Sequence, residues 1–402
     1  MNEIFNGLET VIGDADIRGL KTPCYVIDEK KLLKNAEILA SVIEHTGCRI
    51  LLAQKAFSNY DFYPLISKYI SGTEASGLYE ARLGKEEMPE GEVHVFSAAY
   101  RDDEINELLS YADHIVFNSI HQLAKFGKLA KTHGKSIGLR INPECSTQEG
   151  HEIYDPCARG SRLGVTRAVW DKEMTPEVFE LLDGIHFHTL CEQGSDALEI
   201  TLKAVEEKFG DILPQMKWLN MGGGHHITKS GYDIETLERL LIYAKDKWGV
   251  QVYLEPGEAV AINSGYLLTR ILDVVENSDV KIAILDASAA CHMPDVIEMP
   301  YTPPLLYADA ENEKQYRYRL AGPTCLSGDV IGDYYFDKKL ATGDMLVFGD
   351  MAIYTTCKNN TFNGMPLPDI YSLKPDGSFE QVAGFDYEDF KYRLGSFNRF
   401  SK

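Results

Sequence analysis

No run of about eighteen apolar residues free of charge occurs in this chain, and its opening, MNEIFNGLET, lacks the basic start and apolar core of a secretion signal. Neither a membrane span nor export is expected, and the sequence reads as that of a cytoplasmic protein. It has no C-x-x-C pair. Its eight cysteines, at 24, 48, 145, 157, 191, 291, 325 and 357, are scattered through a chain too large to need stapling. Neither a disulfide framework nor a zinc knuckle is indicated, and free thiols are predicted. Basic charge is also short: 40 Lys and Arg face 61 Asp and Glu, a net charge of −21. That balance argues against nucleic acid or an anionic membrane as partner and favours a cationic ligand. Internal repeats and low-complexity tracts are missing as well.

What is present is the composition of a folded globular protein, 44% hydrophobic and 25% charged. At 402 residues the chain exceeds the roughly 250 to 300 at which single cores stop growing, so two domains are expected. Strand-like runs begin near Ile50, Gly72, Glu92, His114, Ser136, Gly184, Trp218 and Gln251. Between them lie amphipathic stretches such as KKLLKNAEILASVIEH, SIHQLAKFGKLAKTH and DIETLERLLIYAKDKWG, with apolar residues at three-and-four spacing. Eight β/α units predict a TIM barrel over residues 30–264. After Pro256 the texture changes. KIAILDAS, YRYRLAG, MLVFGDM and IYTTC are short β-type runs between Gly, Pro and Asp turns, so a mainly β domain is expected over 265–402. The N-terminal segment 1–29 is assigned to that second domain through the strand-like run TPCYVID.

TIM-barrel chemistry sits in the loops beyond the strand ends, and polar residues gather there. Lys55 follows the first strand, Arg140 lies in the fifth, and His186 and His188 fall in the sixth. Gly222, Gly223 and Gly224 follow the seventh, and Glu255, Pro256 and Gly257 close the eighth. A lysine directly after the apolar run ILLAQ reads by itself as an ordinary exposed strand-end residue; the functional alternative is a buried amine, whose pKa burial lowers so that it can attack a carbonyl. The glycines permit positive φ and close backbone approach, which lets amides point at a phosphate. Glu255 has the chemistry to hold a proton on a pyridine nitrogen, and equally that of a turn-capping acid. His186 and His188 suit ring stacking, core packing or metal ligation. Cys325 and Asp329 in AGPTCLSGD, and Tyr354 in DMAIYTT, read by themselves as a structural thiol, a turn acid and a packing ring.

Taken together, Lys55, His188, GGG, EPG, GPTC-x-x-x-D and Tyr354 followed by TFNG resemble the pyridoxal-phosphate decarboxylases built on an alanine-racemase-like barrel. Ornithine, arginine and diaminopimelate decarboxylases belong to that group. The resemblance runs from about Thr22 to Tyr371, and GGGHHIT, EPGEAVA, LDASAACHMPDVIEMPY and GPTCLSGD are most similar to the branch acting on carboxynorspermidine and carboxyspermidine. It implies pyridoxal 5'-phosphate as cofactor, carried on Lys55, with His188 against its ring and Glu255 at its pyridine nitrogen. Gly222 to Gly224, Gly257 and Tyr354 would complete the cofactor site. It further implies a homodimer in which Cys325 and Asp329 enter the site from the second subunit, Cys325 as proton donor and Asp329 as a substrate-binding acid.

Two departures from the wider group narrow the substrate. After EPG stands Glu258, where ornithine and diaminopimelate decarboxylases carry a phosphate-binding arginine. A carboxylate suits a substrate amine instead. After Cys325 stands Leu326, where those enzymes carry an acid. Asp295 resembles the branch's second substrate-binding acid, so Glu258 and Asp295 are expected to pair the amines of a small, cationic, carboxylated polyamine. The alternatives are a diaminopimelate decarboxylase, a non-catalytic barrel protein that binds the cofactor, and a metal hydrolase using His186, His188, His225 and His226. No resident metal is expected.

Overall fold

The computed structural model describes residues 11–13, 15–148, 155–311 and 314–395. The opening run MNEIFNGLET lies outside them. The chain divides into two compact units, Leu33–Val260 and Met1–Leu32 with Ala261–Lys402. No helix among the described residues is long and apolar enough to cross a membrane, and all eight cysteines are free.

The first unit is a closed barrel of eight parallel strands: Arg49–Ala53, Gly72–Ala75, Glu92–Phe96, His114–Phe117, Ser136–Arg140, Gly184–His186, Trp218–Asn220 and Gln251–Leu254. These are the eight runs read from the sequence. The strands are short and buried, and the helices between them place one apolar stripe against the barrel. Helix Ile120–Thr132 buries Ile120, Leu123, Phe126 and Ala130, and the side chain of Ser119 caps its N-terminus by accepting from Gln122 N at 3.2 Å. Helix Ile234–Trp248 is capped by Asp233, which accepts from Thr236 N at 3.0 Å, and ends on Gly249 at φ 68°.

The barrel is packed where its strands begin. Trp218, Tyr253, His94 and His114 fill that end, with the two imidazoles stacked at 3.9 Å between centroids. Burial pushes the His94 ring down to about 4, so it packs as a neutral ring. The Trp218 indole lies over the neighbouring strands, where a carbon added to Gly184 or Gly138 would meet its ring at 2.0 or 2.3 Å. Only glycine lets the ring close that end, and the strand carboxyl ends are left to carry the polar groups.

The second unit is built on a mixed sheet. Its strands run Val330–Phe336, Tyr316–Ala321, Val280–Leu285, Gly265–Asn277, Cys24–Asp28, Asp369–Leu373 and Phe379–Ala383 in spatial order, and Met345–Gly349 pairs with Gly265–Asn277. Cys24–Asp28 is the expected N-terminal strand. It lies antiparallel to Gly265–Asn277 and parallel to Asp369–Leu373. The run IYTTC, expected as a strand, is not one. Tyr354 takes a left-handed conformation at φ 58°, and Thr355–Lys358 forms a short helix. The Thr355 hydroxyl bonds back to the Met351 carbonyl, a local alternative to strand pairing that β-propensity does not register.

Candidate active site

In the barrel unit the polar residues at the strand ends form one connected layer. Thr73 faces outward, since a carbon on Gly84 of the neighbouring helix would lie 2.3 Å from its Oγ1. Alternation along the strand therefore turns Glu74 inward. Glu255, at the end of the eighth strand, is fixed on both oxygens: His186 Nε2 lies 3.1 Å from Oε2, and Asn220 Nδ2 donates to Oε1 at 2.6 Å. A carboxylate only accepts, so His186 is the donor in its pair. Burial works to raise the Glu255 carboxyl, but His186, with His94 and Asn220, pulls it well below the carboxylate range. Glu74 goes the other way: burial, reinforced by the nearby Glu255, raises it against the opposing charge of Lys55. Two buried acids of one barrel are thus pushed in opposite directions, Glu255 towards the carboxylate and Glu74 towards the protonated acid.

The ring of His186 stacks on Phe96 at 5.4 Å, and the Arg140 guanidinium covers the same Phe96 at 4.6 Å while donating to the His188 carbonyl at 3.0 Å. His188 Nδ1 accepts from Gly223 N at 3.1 Å, which leaves the ring proton on Nε2. Burial, then the charges of Lys55 and Arg140, hold the His188 pKa well below its usual value, so it is a neutral aromatic plate.

Lys55 sits in the turn after the first strand and is exposed, as a strand-end lysine reads by itself, so the buried alternative does not hold. The buried run ends with Ala53 and Gln54, and the lysine lies just beyond. No hydrogen bond or ion pair engages its amine among the described residues. Gly257 brings the EPG turn against this lysine turn: Ala53 N bonds to Pro256 O at 3.2 Å, and a carbon on Gly257 would lie 2.7 Å from Ala56 Cβ.

The glycine run also differs from the expectation of an open amide nest. Gly222 N donates to Asn220 Oδ1 at 2.9 Å, and Gly223 N is the donor to His188. Two of the three amides thus serve to orient Asn220 and His188. The glycines are required by close approach, since added carbons would meet Phe187 O at 2.5 Å, Glu255 O at 2.4 Å and Leu190 O at 2.1 Å. Glu258 opens a short helix after the EPG turn, and its Oε1 lies 3.1 Å from His226 Nε2.

The remaining sequence-derived residues belong to the sheet unit, where one loop cluster gathers them. Asp329 is buried and accepts from Ser288 Oγ at 3.0 and 2.9 Å on its two oxygens, Thr324 Oγ1 at 2.6 Å and Ala290 N at 3.2 Å. The Cys325 amide donates to Asn363 Oδ1 at 2.9 Å, and its thiol belongs to an exposed turn. Asp295 is ion-paired to Lys358, which also meets Glu298 at 2.6 Å and whose amide bonds to the Tyr354 carbonyl at 3.0 Å.

Sequence reasoning missed Asn220, Glu74 and the pairing of His226 with Glu258. An asparagine within a buried strand and an acid within GTEAS were the available signals. The four histidines of the metal alternative do not converge: His186 is bound to Glu255, His188 to Gly223, and His225 stands 3.4 Å from the Met221 carbonyl. Among the described residues two other groups have metal-ligand spacing, Glu92 with His94 and His114, and Glu192 with His226 and Glu258.

An open lysine, a neutral ring and an ionised buried acid around glycine turns can hold an aromatic aldehyde, and the comparisons with known proteins agree. The family described as pyridoxal-dependent decarboxylase, C-terminal sheet domain, matches residues 24–352. A carboxynorspermidine/carboxyspermidine decarboxylase of Campylobacter jejuni is 47% identical, over 93% of this chain and 98% of that protein. A carboxyaminopropylagmatine decarboxylase of Synechocystis is 38% identical, over 96% of this chain and 98% of its own. The crystal structure of carboxynorspermidine decarboxylase complexed with norspermidine from Campylobacter jejuni superposes with a TM-score of 0.85 at 46% identity, covering 93% of this chain and 100% of that one. This chain belongs to the pyridoxal-dependent decarboxylases.

Proposed function

We propose that this enzyme decarboxylates carboxynorspermidine and carboxyspermidine, releasing norspermidine or spermidine in polyamine biosynthesis. The observation that carries the reading is Glu258. A carboxylate packed against a histidine, three residues beyond Glu255 where related enzymes place a phosphate-binding arginine, repels phosphate and attracts an amine. Leu326, in place of the distal-group acid of ornithine and diaminopimelate decarboxylases, disfavours both of those substrates. The net charge of −21 favours approach of a polycation.

The residues fit pyridoxal phosphate. When bound, that group supplies an electron sink for the electron pair left by the departing carboxylate. Lys55, open among the described residues, would hold the aldehyde of that group. Glu255, kept ionised by His186 and Asn220, holds a proton at the pyridine nitrogen. His188, oriented by Gly223, would offer its neutral ring to the cofactor ring. With the Gly222 and Gly223 amides engaged, the barrel's share of phosphate binding would rest on Gly224 and the Gly257 turn, and Tyr354 is assigned to the phosphate by the family resemblance alone. The left-handed backbone of Tyr354, costly for a residue with a side chain, is the kind of strain that functional positions keep.

Cys325 returns a proton to the carbon that lost its carboxylate. Its exposed turn suits delivery into the site of a second subunit of a homodimer. Asp329 serves the turn that carries Cys325, because its own oxygens are filled by Ser288, Thr324 and Ala290. Asp295 shares its charge between Lys358 and a substrate amine. The deciding experiment is side-by-side kinetics on carboxynorspermidine, carboxyspermidine, carboxyaminopropylagmatine and meso-diaminopimelate. Highest kcat/KM on either of the first two supports the reading, and preference for either of the others refutes it.

A further inference from the structure

Within the sheet unit, Asp329 closes the foot of the turn over residues 322–329. Its carbonyl accepts from Gly322 N at 2.9 Å, its amide donates to Leu326 O at 2.9 Å, and Thr324 Oγ1 donates to its Oδ2 at 2.6 Å. The tip of the turn is held otherwise. Among the described residues the only hydrogen bond at Cys325 is the one its amide donates to Asn363 Oδ1 at 2.9 Å, from a segment 38 residues away in the chain. A surface turn with so few backbone bonds belongs to the mobile end of a fold unless a tether of this kind holds it.

Asn363 is itself fixed in place. It takes a left-handed conformation, φ 60° and ψ 16°, in the short turn Phe362–Gly364. Asparagine and glycine are the residues that enter this region most readily. The segment before it is fastened to the helix Ala289–His292: Asn360 N donates to Cys291 O at 2.9 Å, Asn360 Nδ2 donates to Ala290 O at 2.7 Å, and Phe362 N donates to Asn360 Oδ1 at 2.9 Å. Ala290 N donates in turn to Asp329 Oδ1 at 3.2 Å. These bonds close a circuit from Cys325 through Asn363, Asn360, Ala290 and Asp329 back to the Cys325 turn. Asp329 anchors the foot several times over, whereas the tip depends on Asn363.

We propose that Asn363 is a positioning residue of the reaction, whose amide oxygen sets where the Cys325 thiol stands when it delivers a proton. This rests on the reading of Cys325 as the donor. In that step the S–H bond breaks, a C–H bond forms on the carbon that lost carbon dioxide, and the thiolate then takes a proton from water. The electron pair being quenched is delocalised, so the place of the donor decides which carbon receives the proton. A displaced thiol leaves the pair to be protonated at the cofactor's aldehyde carbon instead. Hydrolysis then releases an aldehyde and leaves the substrate's nitrogen on the cofactor, with no outside oxidant required.

The test compares Asn363→Gly with Asn363→Asp in the holoenzyme, on whichever of carboxynorspermidine and carboxyspermidine the wild type turns over faster. Glycine keeps the left-handed backbone and removes the acceptor, and aspartate keeps an acceptor. Asn363→Gly is expected to lower kcat about 10 to 100-fold with far less change in KM, and to raise the share of aldehyde in the product. Hydrogen exchange in the peptide holding Cys325 speeds up in this variant, with or without cofactor, while Tm barely moves. Asn363→Asp recovers most of the kcat and of the amine product. Wild-type kcat and product in Asn363→Gly overturn the proposal. So does a loss in Asn363→Asp as deep as in Asn363→Gly, or unchanged exchange at Cys325. A fall of Tm and cofactor content in step with kcat overturns it too, because Asn363 then only supports the fold. Cys325→Ala separates the two readings. Wild-type turnover there removes Cys325 as donor, whereas a loss there with none in Asn363→Gly removes only Asn363.

Discussion

Replacing Glu74 by glutamine should stabilise the protein at neutral pH and leave it unchanged in acid. Glu74 is buried in the second barrel strand, and its Oε2 has no hydrogen-bond partner. Burial first, and then the nearby Glu255, raise its pKa, with Lys55 opposing. The sign follows from linkage. A carboxyl whose folded pKa is raised costs nothing below the ordinary glutamate value of 4.5, where both states are protonated. As pH climbs past that value the unfolded chain ionises while the fold keeps its proton. Stability is then lost progressively until the folded group ionises too. If Glu74 remains protonated at pH 7, the difference of about 2.5 pH units at ~1.36 kcal/mol each sets a ceiling of about 3.4 kcal/mol. Glutamine has the shape of the protonated acid and cannot ionise, so it removes that loss. A gain of about 1 to 3 kcal/mol corresponds to a rise in Tm of roughly 2 to 12 °C for a unit of this size. Thermal unfolding of both proteins, each saturated with cofactor, at pH 4.5 and pH 7.5 provides the measurement. The reasoning is refuted by a Tm that falls equally at both pH values, or by a gain present only at pH 4.5.

Further expectations follow from the site. Lys55→Ala abolishes turnover and the visible absorbance of the lysine-bound cofactor, and a variant retaining both removes Lys55 from its assigned place. Glu258→Gln raises KM for carboxynorspermidine about 10 to 100-fold with little effect on cofactor content, whereas loss of cofactor at unchanged KM would assign Glu258 to the cofactor instead. Gly184→Ala drives a carbon to 2.0 Å from the Trp218 ring and costs about 1 to 3 kcal/mol or more, read as a lower denaturation midpoint. Mixing inactive Lys55→Ala with inactive Cys325→Ala restores up to about a quarter of wild-type activity if the dimer shares its sites, because each hybrid rebuilds one intact centre. No recovery after verified subunit exchange would place Cys325 in its own chain's site.

The barrel was legible because its strands are short buried runs separated by amphipathic helices, so the eight starting positions could be read directly. Lys55, the glycines and the EPG turn were legible for a related reason: they stand where strand periodicity breaks off. The second unit was harder. The strands Gly265–Asn277 and Val330–Phe336 carry mixed burial patterns, and IYTTC folds locally through the Thr355 hydroxyl instead of pairing. Hydrogen-bonding competition of that kind leaves no periodic trace.

The amino-acid order alone determined the barrel and placed Lys55 and the acids of the EPG turn at its strand ends, since local periodicity suffices for that. Only the tertiary structure decided which groups are charged and which are already engaged. Glu74 and Glu255 are the same residue type, yet one keeps its proton beside its like-charged neighbour and the other is ionised by His186 and Asn220. The Gly222 and Gly223 amides, open to an anion on sequence grounds, are taken by Asn220 and His188. Glu192, unremarkable in TLCEQG, comes near His226 and Glu258 only because the barrel has closed. Protonation and hydrogen-bond occupancy depend on neighbours distant in the chain, and those neighbours exist only once the barrel has closed.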